Sequence, residues 1–515
     1  MGMFTTPRDS ESNRTLSRRV FGTGLFAAAS LPAITGITGR AQASAAPPAQ
    51  VDTLPPPFDR WNVNVFPERD DAQVLTMCFD SPLLGRSMTN TVYIPDCYTK
   101  TSAPLPVLYY LHGTIVAALQ HAPGQQVYDL ASLANQLGSG GGKVQTDLFR
   151  FDQSRERAKY IVVALDTDPN ITVFENSFWV DGRDDLVPNV TTVTAQTAPA
   201  ESYFLREIIP LTEALFRVRN DRGGRGVIGY SAGACGALLQ GFRHPDLFQS
   251  CVGVSSPADI LAPIVLNTYV RPIAYLRDQG YGDPLTHEIL YRNFNPVELA
   301  SNAARTDATV IMSAGDGCAD PRSLLSSSAC RTYPFGASSD GPAKVGAEKV
   351  EMDLRYNSDS ATRKFTEAGL EHTYLRVTGV HGGTNHPVYH NQLVDRLNAV
   401  FDDRSRTPQY FDHRTVDRKF SIWNYEVSVD RAGDEFTSLG EARSDGRSWT
   451  IAGAGAARMT TPPAFEPGRT LQAVVKPAAG SSQARQVEAD KNGRVQLEVP
   501  LSQESTRVEI HRIYN

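Results

Sequence analysis

Basic charge, metal-ligand spacings and long apolar runs are what this 515-residue chain has least of. Lys and Arg number 50 against 56 Asp and Glu, a formal net charge of -6. With no basic footprint, nucleic acid is not an expected partner. Six cysteines are present, none in C-x-x-C spacing, and no H-E-x-x-H occurs, so neither a metal centre nor a cofactor is expected. Past the N-terminus no stretch is apolar enough to cross a bilayer, and no internal repeat is evident. What remains is 41% apolar and 21% charged, the balance of a soluble globular protein, at a length that suggests two or three domains.

The N-terminus reads as an export signal rather than as part of the fold. Arg18-Arg19 precede the short apolar run 22–34 and the small-residue site Ala41-Gln42-Ala43. That order, with Phe21 after the arginine pair, predicts a twin-arginine type signal over 1–43 and a secreted or cell-envelope location. A Pro/Ala-rich linker is expected over 44–70, a catalytic domain over 71–404 and a β-sandwich over 405–515.

Patterning supports that division. AQVLTMCFDSPLLGRSMTNTVYIP predicts two antiparallel strands. The continuous apolar runs in PLPVLYYLHG, KYIVVALD, GRGVIGY, SCVGVSS and ATVIMSAGD, then HTYLRVTG, predict six further strands. Helical periodicity falls at 126–137, 202–217 (kinked by Pro210), after GRGVIGY and at 387–401. Strands alternating with helices imply an α/β fold around a mostly parallel, doubly wound sheet. From Phe411 onward, short alternating runs such as FSIWNYEVSV and RVQLEVPL, punctuated by Gly, Pro and Asp, imply an antiparallel sandwich.

Gly229-Tyr230-Ser231-Ala232-Gly233 stands between one of those strands and a helix. G-x-S-x-G in strand–turn–helix context is how a nucleophilic serine is exposed at a helix N-terminus, so Ser231 is the candidate nucleophile. Oxyanion donors are expected from the Ala232 amide and from Thr114, in the loop after the PVLYYLHG strand. The base is expected after the last strand: His381 in VTGVHGG, with His386 and His390 as rivals. The acid is expected in SAGDGCAD. Asp316 fits a loop-amide acceptor, and Asp320, further out, is preferred as the histidine's partner.

Together SPLLGR, PVLYYLHG, ENSFW, GYSAG, SAGDG and VTGVH occur in the order found in esterase D-like hydrolases. Over about residues 75–400 the chain resembles that superfamily, and within it the secreted mycolyltransferases of the antigen complex and related actinobacterial esterases. The resemblance implies an α/β-hydrolase fold with Ser231 as nucleophile, His381 as base and an acid from the 313–320 loop. The chain departs where the mycolyltransferases hold trehalose. His112, Ile115 and Val116 replace a D-G-L-R pattern, and HGGTNHP replaces a tryptophan-bearing segment.

The expected function is therefore an exported serine hydrolase of carboxylic esters. The alternatives are an acyltransferase to a sugar or glycerol hydroxyl, and a non-catalytic cell-wall binding protein. The substrate is expected to be a small-molecule or cell-envelope ester. Disulfides Cys78–Cys97 and Cys318–Cys330 are expected from export and loop spacing, with Cys235 a buried filler. A polysaccharide or polymer contact through Trp423, Tyr425 and Trp449 competes with the plainer reading of these aromatics as sandwich core.

Overall fold

Five consecutive apolar residues, Val107–Leu111, are all buried and divide between two cores. Val107, Tyr109 and Leu111 point into one, and Leu108 and Tyr110 into the other. A strand apolar on both faces must be covered on both, and the rest of the sheet is built around it. The computed structural model describes residues 54–68, 71–113, 146–168, 173–174, 177–183, 199–271, 282–318 and 342–513. The signal expected over 1–43 and the helix expected at 126–137 lie outside the described residues.

A nine-stranded sheet comprises β1 (Asn64–Glu68), β2 (Asp71–Ser81), β3 (Arg86–Tyr93), β4 (Val107–Leu111), β5 (Ile161–Ala164), β6 (Arg225–Tyr230), β7 (Ser250–Val254), β8 (Thr309–Gly315) and β9 (Thr373–Val377). Its order is β1-β2-β3-β5-β4-β6-β7-β8-β9. Pairing is antiparallel through β3/β5 and parallel from β5 to β9. The chain leaves β4 for β5 on one side and returns to β6 on the other. That reversal opens a crevice at the carboxyl ends of β4 and β6, where open α/β sheets hold their sites.

Three of the expected helices are present among the described residues, and others stand beside them, short ones at Glu288–Asn293 and Pro296–Leu299 and one long one. α1 begins at Ala200–Tyr203, passes through a π turn at Phe204–Ile208 and ends as Ile209–Leu215. The irregular turn sits just before Pro210, whose ring and missing N–H disturb the ladder there. α2 (Ala232–Arg243) follows β6, and α4 (Val394–Asp402) closes the region after a helical lead-in from Asn385. Between β8 and β9 lies α3, the 26-residue helix Pro342–Glu367, which the periodicity reading passed over.

Past α4, β10 (Tyr410–Thr415), β13 (Thr437–Arg443), β14 (Ser448–Ala452), β19 (Thr506–Arg512), β16 (Thr470–Lys476) and β17 (Gln483–Glu488) form a six-stranded sheet in that order. A four-stranded sheet of β11 (Lys419–Ile422), β12 (Tyr425–Asp430), β15 (Ala456–Thr460) and β18 (Gln496–Pro500) accompanies it. Their inward residues share one core with Trp449 and Tyr425. The fold is thus an α/β-hydrolase sheet followed by a β-sandwich. Residues Ala46–Asn515 make one compact unit, and polar ties join the two sheet systems. The Trp423 amide donates to Asp246 at 3.0 Å, and Arg243 pairs with Asp417 at 2.7 Å.

Three expectations are corrected here. The linker over 44–70 contains an ordered strand: β1 pairs with β2, Asn64 opposite Cys78. Cys78 and Cys97 are free thiols. Register explains why, since Cys78 lies opposite Thr89 in the β2–β3 ladder, its sulfur 3.5 Å from the Thr89 hydroxyl. Cys97 comes after the end of β3, and its thiol donates to the Ala158 carbonyl at 3.7 Å. Third, the aromatics offered as sugar platforms are buried: Trp423 is 7% exposed, Trp449 1% and Tyr425 0%. Trp423 and Asn424, both at positive φ, form the two-residue turn between β11 and β12.

Of the remaining cysteines, Cys235 and Cys251 are buried free thiols whose pKa values burial pushes up, as inert packing groups should be. Cys318 is disulfide-bonded, while its expected partner Cys330 lies outside the described residues.

Candidate active site

The turn that carries Ser231 is built by its two glycines. A Cβ on Gly229 would come 2.0 Å from the Gly233 carbonyl oxygen, and one on Gly233 would come 2.2 Å from the Leu111 oxygen. Only glycine at both positions lets α2 start hard against the ends of β6 and β4. Ser231 itself sits at φ 56, ψ -122, a conformation that costs free energy and persists because its surroundings impose it. Its amide donates to Val254 of β7 at 3.0 Å. The hydroxyl is thereby held at the N-terminus of a 12-residue helix.

His381 reaches Ser231 from the loop after β9. Its Nε2 lies 3.1 Å from Ser231 Oγ, and its ring tilts against Tyr230 with centroids 4.8 Å apart. His381 is 8% exposed. His386 lies elsewhere: its Nε2 is 3.2 Å from the side-chain amide of Gln153, and its ring is 4.3 Å from that of His390. Partial burial, then His390 and Arg150, hold the His386 pKa below the usual imidazole value. His390 Nε2 donates to the Arg150 carbonyl at 2.9 Å.

The far nitrogen of His381 is taken by a residue that the sequence reading missed. His381 Nδ1 donates to Glu351 Oε2 at 2.8 Å, and Glu351 is 0% exposed. This corrects the expectation of an aspartate from the 316–320 loop. Asp316 Oδ1 is turned to the amides of Cys318 and Gly379, at 2.9 and 3.1 Å. Asp320 lies outside the described residues, as does Thr114. Glu351 comes instead from α3, whose buried stripe reads Ala347, Glu351, Leu354, Ser358, Ala361, Phe365. A carboxylate in the apolar stripe of an amphipathic helix was the available signal, because a buried charge must be paired.

The second oxygen of Glu351 is also committed. Oε1 accepts from Ser255 Oγ at 2.8 Å and from the Gly315 amide at 2.5 Å. Ser255 follows β7 at φ 54, is fully buried, and its own amide donates to Ser313 of β8 at 2.8 Å. Ends of β6, β7, β8 and β9 and one helix thus converge on a continuous Ser231–His381–Glu351 hydrogen-bond chain. The Ala232 amide, first of α2, has no helical acceptor behind it and stands beside Ser231. Among the described residues, no cluster of His, Cys, Asp and Glu could hold a metal ion.

The chain's residues 81–409 match the model of a family described as "Putative esterase". The chain belongs to that esterase family. Its solved structural relatives include a ferulic acid esterase, 17% identical, with 66% of this chain and all of that one covered at TM-score 0.39. An S-formylglutathione hydrolase from Agrobacterium tumefaciens is 16% identical over 66% of this chain and 99% of that one, at TM-score 0.37. Mycobacterium tuberculosis MPT51 (FbpC1) is likewise 16% identical, over 62% and 96%, at TM-score 0.37. Among curated proteins none matches the chain. The match to the esterase family ends at the start of the sandwich and leaves β10–β19 outside it.

Proposed function

We propose that this esterase-family protein is an exported serine hydrolase that cleaves carboxylic esters through an acyl-enzyme. The observation that carries the reading is the unbroken relay from Ser231 through His381 to Glu351, at 3.1 and 2.8 Å. In the proposed reaction Ser231 Oγ attacks the ester carbonyl carbon while His381 Nε2 takes the hydroxyl proton. The Ala232 amide, at the positive end of α2, donates to the developing oxyanion. Collapse breaks the ester C–O bond, and His381 returns the proton to the departing alcohol. Water then repeats the sequence on the acyl-serine, which releases the acid and restores Ser231. Glu351 stays ionised throughout, fixes the tautomer that leaves Nε2 able to accept, and offsets the imidazolium charge.

Two residues support Glu351 in that role without touching substrate. Ser255 and Gly315 hold Oε1, so Oε2 is aimed at the histidine and neither oxygen is left unsatisfied in a buried site. Export rests on the residue order of 1–43.

The test is intact-mass analysis of the mature protein after brief incubation with p-nitrophenyl esters of increasing chain length, acid-quenched. One acyl adduct per chain, mapped to Ser231 and decaying with release of free acid, is the expected result. Decay only when a sugar or glycerol acceptor is added, with the acyl group on that acceptor, would convert the assignment to a transferase. Absence of any adduct together with absence of turnover would remove the catalytic reading.

A further inference from the structure

The β-sandwich carries a feature that ester chemistry does not use. A groove of about 640 Å³ on it is lined by five arginines, Arg443, Arg447, Arg469, Arg507 and Arg512, together with His511. Only two carboxylates, Glu466 and Glu509, share that lining. Phe465, Leu471 and Ile510 add apolar surface. In a chain of net charge -6 this is a local reversal of sign. By contrast, a cavity of about 720 Å³ between the two sheet systems has cationic and anionic residues in balance and selects no ligand charge.

Not every guanidinium in the groove is available. Arg443 is clamped by both oxygens of Asp445, at 2.9 and 2.6 Å. Arg507 donates to Glu509 at 2.9 Å and lies 3.4 Å from Glu441. The other three are loosely held. Arg447 is 3.9 Å from Asp445, Arg469 is 3.4 Å from Glu466, and Arg512 forms no ion pair with a described residue. Arg447 and Arg469 are 55% and 47% exposed. Each guanidinium has five N–H donors and stays charged at any physiological pH, so most of their hydrogen-bonding capacity is unspent. The positive surroundings register on Glu509, whose carboxyl is pulled down to about 2 by hydrogen bonds from Lys476 and Arg507.

We propose that this groove binds a linear polymer bearing repeated anionic groups, carboxylate or phosphate. A single small anion would need one fork. Here the loosely held guanidiniums come from three separate chain segments: the β13–β14 turn, the segment leading into β16, and the end of β19. The start of β14, the end of β19 and the start of β16 lie at the same end of three adjacent strands, so the charges are spread across the sheet rather than gathered on one strand, and anionic groups repeated along a ligand match charges so spread. The polymer contact therefore runs through arginine, and not through the buried Trp423, Tyr425 and Trp449.

Affinity electrophoresis of the mature full-length protein tests this, with polygalacturonate, long-chain polyphosphate or neutral dextran cast in the gel. The expected result is retardation by one or both polyanions and none by dextran, weakening as salt rises toward 0.2 M because the contact is exposed and screened. Preferential retardation by one polyanion identifies which group the groove takes. R447E/R469E/R512E should weaken retardation by at least about ten-fold while leaving turnover of a small soluble ester unchanged. R512E alone, at an exposed strand end, serves if the triple variant does not fold. Polyanion retardation no greater than that by dextran at low salt, or equal retardation of the charge-reversed variants, would overturn the proposal.

Discussion

The two sheet systems use the same backbone geometry for opposite ends. In the nine-stranded sheet, β4 to β9 run parallel, so every one of them finishes at the same edge. Loops from four strands therefore meet there, and residues 231, 255, 315 and 381, far apart in sequence, come within hydrogen-bonding reach of one another or of Glu351. In the sandwich the paired strands run antiparallel, so successive loops leave from alternate ends. Its distinctive surface, the arginine groove, spreads across neighbouring segments instead of concentrating at a point.

That contrast can be broken at either end. The largest effect is expected at the convergence point. Ser231→Ala should lower kcat for p-nitrophenyl esters by a factor on the order of 10⁶, with the melting temperature nearly unchanged, because the proposed nucleophile acts only in the reaction. His381→Ala should match it, while His386→Ala should keep most of kcat. Steady-state kinetics with thermal melts on the same samples decide this, and a dead but folded His386→Ala enzyme beside an active His381→Ala enzyme would reverse the assignment of the base.

The sandwich core should respond in the other currency. Trp449 is 1% exposed and packs edge-on against Tyr425, with ring centroids 5.5 Å apart. Trp449→Ala should cost about 3–5 kcal/mol of stability by the cavity rule. At a temperature where the variant is still folded, turnover of a small ester should be unchanged. Denaturant titration beside kinetics measures both. A kcat that falls with stability would mean that the two regions are coupled more tightly than the comparison allows.

A smaller effect is expected at Ser255, which positions Glu351 without touching the reacting atoms. Ser255→Ala leaves Oε1 with the Gly315 amide alone, and loss of one hydrogen bond to a charged group is worth about 1.5–3 kcal/mol. Only part of that should reach the transition state, so a fall in kcat of about ten-fold, at constant KM, is expected. Ser255→Thr should recover part of the loss if the hydroxyl matters and the fully buried volume permits it. Equal loss in both variants would indicate packing rather than positioning.

Much of this was legible in the residues, for identifiable reasons. Strands buried on both faces must be continuous apolar runs, and VLYYL, IVVA and SCVGV could be read off directly. GYSAG is local because its glycines answer a local clash. His381 follows the last strand, β9, after only three residues. What failed was non-local. β1 is a short edge strand containing Pro67, with no buried residue, so it shows neither an apolar run nor a clean alternation. The Cys78–Cys97 expectation ignored that cross-strand register places Thr89, and not Cys97, opposite Cys78.

Glu351 was missed because α3 is polar by composition. Its packed face carries Glu351, Ser358 and Asn357, whose hydrogen bonds are made to other segments. The buried stripe of α3 marks a carboxylate at 351 that needs a partner, but nothing within the helix says that the partner is a histidine 30 residues later. Only the fold brings them together, and the aspartates directly after β8 in SAGDGCAD drew the inference instead. Asp316 is spent on its own loop amides, as an aspartate in a turn commonly is.

The claim at the centre of this account, that Glu351 orients His381, is tested most directly by kcat in three single variants side by side: Glu351→Gln, Asp316→Asn and Asp320→Asn. The account predicts that Glu351→Gln falls by about 10⁴, as when the orienting carboxylate of a triad becomes an amide and the wrong tautomer is favoured. It predicts that each aspartate variant stays within about ten-fold of the parent enzyme, since a loss of 1.4 kcal/mol or less is all that loop support should contribute. An active Glu351→Gln enzyme beside an inactive, folded Asp320→Asn enzyme would contradict it and return the acid to the loop after β8.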